Sequence, residues 1–541
     1  MTDSSERIRE AAFAVSDDRA APAIRATLKS GGSAADAGVA AVLAMAAIDP
    51  LKVGLGGSLS AVHFDAATRQ VAVIDGAGRL PDGLAPFRPV PASPFGAPMA
   101  ALPRAIPALG ELHGKHGRQA WASLCESAAA VAEDGRAVTL ADYASWLAAR
   151  PLLTATDEGR VLFFDGELPL TPGSRFRNPA LAVMLKALGD SGPQHAATGA
   201  WAQAFRARAE AMGWRLAPDA LSADPPRWQN PLIVTRDGHS FALAAPPQRQ
   251  GAIAALTLGA LAAVDANPDS ADGIYAAAHI LRRARIDSGY IGADGDEASV
   301  SGYLDADYHR QIAAMIQGSR PRADMRQHYA LLKRSAIVAQ SGLPTFTTGT
   351  DVLVTSSSVG QTTPGMACTI VDNAGNWLAL SASALHGGIP GQVVDGVLML
   401  GSTASVGHLR SAATARLAGG RIQMPSAASL MLEGGTPRLG IAGAGADDDV
   451  LPQILNRLAR KTGPEAALAA PRTSAVDERY AARLESAHAP ETLDALAILG
   501  LQVTPLKPHD AAMGNFVACW SEGALSGASD PRGSGTFERL A

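Results

Sequence analysis

The residues most able to do chemistry lie in VLVTSSSVGQTTPGMACTIVDNAGNWLALSASALHGG (352–388). A Ser/Thr-rich approach runs into Thr362-Thr363, followed by an alternating strand, a turn and a second alternating strand. If the chain is cut before such a threonine, the new α-amine lies beside the hydroxyl of the same residue and can serve as its general base. By residue type alone the segment also reads as an ordinary surface loop entering a hairpin. Other chemistries find less support. The 12 histidines include no HExxH or HxH pair, and His113 and His116 in ELHGKHG read as structural residues at the end of a surface helix. No phosphate-binding loop, dinucleotide fingerprint or GxSxG elbow occurs. The pairs Gly31-Gly32 and Gly56-Gly57 read as tight turns, and Cys368 as a small buried apolar residue.

The elements that must position these residues follow from pattern. Ser33 precedes the helix-forming run AADAGVAAVLAMAAI (34–48), which Asp49-Pro50 stops, and Gly54, Gly56 and Gly57 lead into a β-hairpin. Residues from about 100 to 290 are mostly helical by pattern, including 273–292, and 318–350 reads as an exposed connection. Beyond it, ACTIVD and WLALSAS form one hairpin and ASLML with PRLGIAG another, before a helix from Asp447 to Lys461 that opens acidic and ends basic. Strands at both ends flanking helices predict one layered α/β unit built from distant segments.

Composition narrows the function. The 541 residues are 47% hydrophobic and 18% charged with net charge -5, typical of a globular protein, and lack the basic footprint of a nucleic-acid binder. Three scattered cysteines predict a reducing compartment. The polar start and the interrupted apolar runs predict a cytoplasmic chain with no membrane span.

Several segments, in order, resemble the γ-glutamyltranspeptidases, or glutathione hydrolases, of the N-terminal nucleophile superfamily. GGSAADAGVAA resembles that family's GGNAxDAAVAA and GLGGS its GxGGGxF turn. PMAALPRAIPALGELHGKHGRQAW (98–121) resembles the helix after its GVPG segment, and LAAPPQRQGAIAALTLGAL (243–261) its PPPSSGG region. GQTT (360–363) resembles the processing site, and GALSGASDPRGSG (523–535) the closing YGASDPRxxG. The resemblance implies an αββα sandwich, a large-subunit region 1–361 and a small-subunit region 362–541 cut from one proenzyme, a small-molecule amide substrate and no cofactor, and leaves a homodimer open.

Residue by residue, the resemblance implies a nucleophile at Thr362, beside Thr363, with Ser383 as the second hydroxyl, His386 near the pocket, and the backbone N–H groups of Gly443 and Ala444 in GIAGAGADDD as the oxyanion turn. Anchoring instead on Ile370-Val371-Asp372 places the family's threonine at Gly365. Either Pro364-Gly365-Met366 is an insertion and Thr362 remains the nucleophile, or the chain is a processing-incompetent relative that acts as a binding or structural partner. The specificity contacts depart from the family. Ala77 stands where an arginine clamps the substrate carboxylate, with Arg79 two positions later as the substitute. MLGSTASV (399–406) lacks the acidic pair for the substrate ammonium, and Pro425-Ser426 keeps one hydroxyl, Ser426. These losses imply an acyl group other than γ-glutamyl.

Overall fold

The computed structural model describes residues 10–79, 101–212, 216–223, 225–245, 248–288, 301–319, 365–384, 388–389, 391–400, 427–445, 447–477, 480–488 and 490–540. Two antiparallel sheets lie face to face. The first contains β1 (Ala11–Val15), β2 (Ser58–Asp65), β3 (Gln70–Gly76), β4 (Arg227–Gln229), β7 (Met366–Val371), β8 (Trp377–Ser383) and β13 (Thr536–Leu540), in the spatial order β13-β1-β7-β8-β2-β3-β4. The second contains β5 (Leu232–Arg236), β6 (His239–Leu243), β9 (Ala427–Glu433), β10 (Thr436–Ala444), β11 (Asn515–Glu522) and β12 (Ala524–Ser529), in the order β12-β11-β10-β9-β6-β5.

Side-chain alternation, period two along each strand, decides which layer each residue joins. In β7 the side chains of Met366, Cys368 and Ile370 pack toward helices, whereas Ala367 and Val371 pack toward the other sheet. The inner layer is dominated by small residues, Ala12, Ala14, Ala367 and Ala379 facing Ala242, Ala428, Ala442 and Ala444. Helices α1 (Ala21–Lys29), α2 (Ala34–Ile48), α3 (Ala105–His116) and α4 (Trp121–Asp134) cover the outer face of the first sheet. The outer face of the second is covered by α5 (Arg249–Val264), α7 (Asp447–Ala459) and α8 (Pro464–Ala469), with α6 (Ala271–Ser288) packed beyond α5. The result is helix, sheet, sheet, helix, as the resemblance implied.

Local sequence explains the joints. Ser33 and Asp36 form a capping box at the start of α2, and Asp36 also accepts the backbone N–H groups of Arg118 at 2.8 Å and Gln119 at 3.2 Å. Asp372, closing β7, accepts Ala34 N–H at 3.1 Å and three donors of the turn to β8: Ala374 N–H, Asn376 N–H and the Asn376 amide. The glycine-rich opening and the NAGN turn thus hold each other. The hairpins at 366–383 and 427–444 and the helix at 34–48 agree with the pattern expected from sequence. The region read as mostly helical also supplies the hairpin β5–β6, and β1 arises directly after the polar start.

His116 ends α3, as expected, but is half-buried rather than at the surface, and its ring stacks on buried His63 of β2 at 3.8 Å between centroids. Burial, reinforced by the His116 ring, pushes the His63 imidazole down to about 3 from an ordinary 6.5. Above pH 6.5 neither the folded nor the unfolded form carries this proton, so stability is full. As pH falls from 6.5 toward 3 the unfolded chain binds a proton that the folded chain refuses, and stability drops by about 1.4 kcal/mol per pH unit. Urea unfolding at pH 7.5 and 4.5 should therefore show an acid loss of about 2–3 kcal/mol from this residue, which His63→Gln reduces. An equal acid loss in the variant would place the sensitivity elsewhere.

Candidate active site

Strand register brings together residues far apart in sequence. Met366 pairs with Ala382, so Gly365, just before β7, lies opposite Ser383; Ser383 pairs with Ser58, and Leu59 with Gly76, so Ser58 lies opposite Ala77. Gly365, Ser383, Ser58 and Ala77 therefore form one cross-strand row on the inner face, at the end of the first sheet. Two residues deeper along each strand, on the same face, run Ala367, Ser381, Ser60 and Asp75. The second sheet meets the outer row through Ala444, the last residue of β10. A Cβ built on Gly365 would lie 3.4 Å from the Ala444 Cβ and 3.7 Å from the Ser383 Cβ.

Two glycines permit these approaches. A Cβ on Gly57 would sit 2.0 Å from the Ser383 carbonyl oxygen, so the GLGGS turn can press on the end of β8 only as glycine. A Cβ on Gly443 would sit 2.2 Å from the Phe516 ring, against which that residue lies flat. Ala444 needs no such freedom. Its φ is not positive, and its methyl joins the inner alanine layer, so alanine fits this position without strain.

Gly443 and Ala444 close a central strand, opposite Phe516 and Asn515 of β11. The Gly443 carbonyl accepts the Ser381 hydroxyl at 2.9 Å across the gap between sheets. Of the acids that follow, Asp449 is buried, accepts Ala475 N–H at 3.0 Å and pairs with Arg285 at 2.9 Å, so its charge is matched within the fold. Ala77 is buried, with its N–H on the Asp75 carboxylate at 3.0 Å. Arg79 is half-buried, and its backbone bridges Leu102 through N–H donation in both directions, at 3.3 and 2.6 Å. Thr362, Thr363, His386 and Ser426 lie outside the described residues.

Ser381, Ser58, Ser60, Asp75, Gln248 and Arg104 also line or support this end of the sandwich and were not singled out from sequence. Ser381 was accessible, because alternation in WLALSAS puts it on the face of Ser383. Asp75 is fully buried and accepts the side-chain amide of Gln248, a contact between positions 173 residues apart that no local pattern announces. Arg104 is buried, with its N–H on the Gly57 carbonyl at 3.3 Å. Cys368 is fully buried and burial pushes its thiol well up, away from a nucleophilic thiolate. Among the described residues no group of three or more His, Cys, Asp or Glu is placed to hold a metal, and no helix is long and apolar enough to cross a membrane.

Comparison with known proteins adds ancestry to this geometry. The family profile described as gamma-glutamyltranspeptidase matches residues 20–539. The Homo sapiens glutathione hydrolase 5 proenzyme is 30% identical over 244 residues, 44% of this chain and 41% of that protein, so the match spans less than half of that relative's length. The glutathione hydrolase-like YwrD proenzyme of Bacillus subtilis is 24% identical over 529 residues, 94% of each chain. The crystal structure of cephalosporin acylase from Bacillus halodurans shares the fold, with a TM-score of 0.78 over 98% of this chain and 96% of that one at 19% identity. With its N-terminal nucleophile hydrolase sandwich and a family match covering nearly the whole chain, this protein belongs to the gamma-glutamyltranspeptidase family.

Proposed function

We propose that the chain is a self-processing amide hydrolase or acyltransferase with Thr362 as its N-terminal nucleophile and an acyl specificity shifted away from γ-glutamyl. The observation that carries this reading is the row at the end of the first sheet. Gly365, the first described residue after Thr362 and Thr363, enters it between Ser383 and Ala444, which bring a hydroxyl and a backbone N–H close to the start of β7. Gly365 has φ +127, a conformation side-chain-bearing residues rarely adopt. This favours Gly365 as part of a bend inserted before β7 over a vacant nucleophile position.

In the proposed reaction the Thr362 hydroxyl oxygen bonds to the amide carbon while its proton passes to the free α-amine of the same residue. Negative charge moves to the carbonyl oxygen, where the N–H of Ala444, with that of Gly443, stabilises it. The C–N bond then breaks, the ammonium returns the proton to the departing amine, and an ester on Thr362 remains. Water, or an acceptor amine, resolves it. No cofactor enters any step. Proenzyme relatives support a large and a small subunit from one precursor. The topology suits this, since β7 and β8 lie between β1 and β2, so a cut at 361–362 would leave the pieces joined by hydrogen-bonded ladders. Three buried, unpaired cysteines support a reducing, cytoplasmic setting.

Ala77 supports the shifted specificity. It occupies the same row as Ser383, at the family's clamp position, yet is buried and uncharged. An amino-acid head group bound there would leave its carboxylate uncompensated, at about 3–5 kcal/mol for a buried pair broken on one side. The second reading, a processing-incompetent partner protein, is favoured by one fact: residue 365 has no side chain.

Two experiments separate these readings. Purified protein held at neutral pH should resolve on a denaturing gel into 1–361 and 362–541, and Thr362→Ala should abolish both the cut and turnover while leaving the fold intact. Thr363→Ala should weaken the reaction less. A folded wild-type chain that stays whole would support the inactive partner instead. In a substrate panel, N-acyl amides with dicarboxylic or uncharged acyl chains should be cleaved faster than a γ-glutamyl anilide, and Ala77→Arg should raise kcat/KM for the anilide alone. Efficient γ-glutamyl transfer from glutathione by the unmodified protein would overturn the shifted specificity and make Arg79 the next residue to replace.

A further inference from the structure

The hydrogen bond from Ser381 Oγ to the Gly443 carbonyl at 2.9 Å crosses between the sheets at the active end of the sandwich. Ser381 is 3% exposed and sits in the deeper row, opposite Ala367 and Ser60. Gly443 C=O and Ala444 N–H belong to one planar trans peptide, so they point in opposite directions. A carbonyl held by Ser381 therefore fixes the plane of this peptide, and with it the direction of the N–H of Ala444, the residue that lies against Gly365. The peptide has little room to rock. Gly443 is flat against Phe516, whose own N–H is held by Asp530 at 3.2 Å.

We propose that Ser381 is a positioning residue, whose hydroxyl fixes the Gly443–Ala444 peptide so that the Ala444 N–H meets the oxyanion. The assignment rests on the N-terminal nucleophile reading above. Ser381 acts through the peptide it holds, orienting a donor whose contact matters most when charge develops on the carbonyl oxygen. Its loss should therefore lower kcat and leave substrate binding nearly unchanged. Removing one oxyanion donor outright costs about 10²–10³ in kcat, and loosening one should cost less, about 10–100-fold.

The test uses the full-length processed protein and the fastest N-acyl anilide of the substrate panel. Ser381→Ala should reduce kcat about 10–100-fold with KM within about twofold, whereas Ser381→Thr, which keeps the hydroxyl, should restore most of it. Ser381→Cys, close in size with a weak donor, should fall between them and supplies the measurement if the alanine variant folds poorly. Thr369→Val is the control. Thr369 is buried on the same inner face of β7 but two residues further along the strand than Ala367, beside Cys519 rather than Gly443, so its replacement should leave kcat unchanged. An active wild type whose kcat survives Ser381→Ala, or falls equally in Thr369→Val, would overturn the Ser381 assignment alone. A wild type that cleaves none of the amides overturns the hydrolase reading and this assignment with it.

Discussion

The thinness of the inner layer is the constraint on which the site depends. Two sheets ordinarily pack about 10 Å apart, a spacing set by the side chains between them. Here alanines face alanines near the ends of β7, β8 and β10, and only further along do Trp377, Phe64 and Leu432 fill the gap. A short hydroxyl such as Ser381 can therefore reach a carbonyl of the opposite sheet, and the entry to β7 can lie against Ala444. A larger residue at Ala367 or Ala442 would have to be accommodated by parting the sheets, and overpacking of this kind typically costs about 1–3 kcal/mol. Its effect on chemistry would exceed its effect on stability, because positioning errors of about 1 Å can cost a hundredfold in rate.

A thin layer needs its edges held, and buried charges do this on the side of the second sheet. Asp530, in the SDPR segment, accepts Phe516 N–H at 3.2 Å and the Arg532 guanidinium at 2.9 Å, and pairs with Arg472; Arg532 continues to Glu485 at 2.8 Å. All four side chains are buried. Such a group is a weak source of net stability, but removing one member leaves the others unmatched in a dry site. What it fixes here is the start of β11, and with it the Phe516 ring that flattens Gly443. On the first sheet Asp36 and Asp372 do comparable work with backbone donors, tying α2 to the turn after β7. The resemblance motifs GGSAADAG, NAGN and ASDPR thus mark supports around the site rather than its reacting groups.

This distribution explains what the sequence made legible. Elements with strong local grammar were readable, such as the Ser33 cap, the alternation in WLALSAS and the hairpin of ASLML with PRLGIAG, because their determinants lie within a few residues. The strand AAFAV carried no alternation to read, since both of its faces are buried, and the β5–β6 hairpin was masked by helical segments and prolines around it. Register was not readable. The row joining Gly365, Ser383, Ser58 and Ala77 depends on the pairing of β8 with the distant β2, and the Asp75–Gln248 contact and the Ser381–Gly443 bond join positions 173 and 62 residues apart. Family resemblance supplied Ser383, Gly443 and Ala444 as candidates, but only geometry could show that Ala77 and the entry to β7 share one line.

That shared line links the two departures from the family. If Gly365 had only replaced a nucleophile, Ala77 three strands away would be free to keep its arginine; if only the clamp were lost, nothing would require a bend before β7. Both changes fall at opposite ends of a single row, spanning about three strand spacings of roughly 4.8 Å each. On the proposed function, a substrate lying along the row would meet its start at Gly365 with the scissile carbonyl and Ala77 with the distal acyl end. In that reading, residues inserted at one end would move the nucleophile relative to the oxyanion donor, and the small apolar residue at the other removes the charge that would dictate where the acyl chain stops. An acyl group held by shape rather than by a charged clamp could then settle to suit a shifted nucleophile, so that the two changes would tolerate each other better than either would tolerate the ancestral partner.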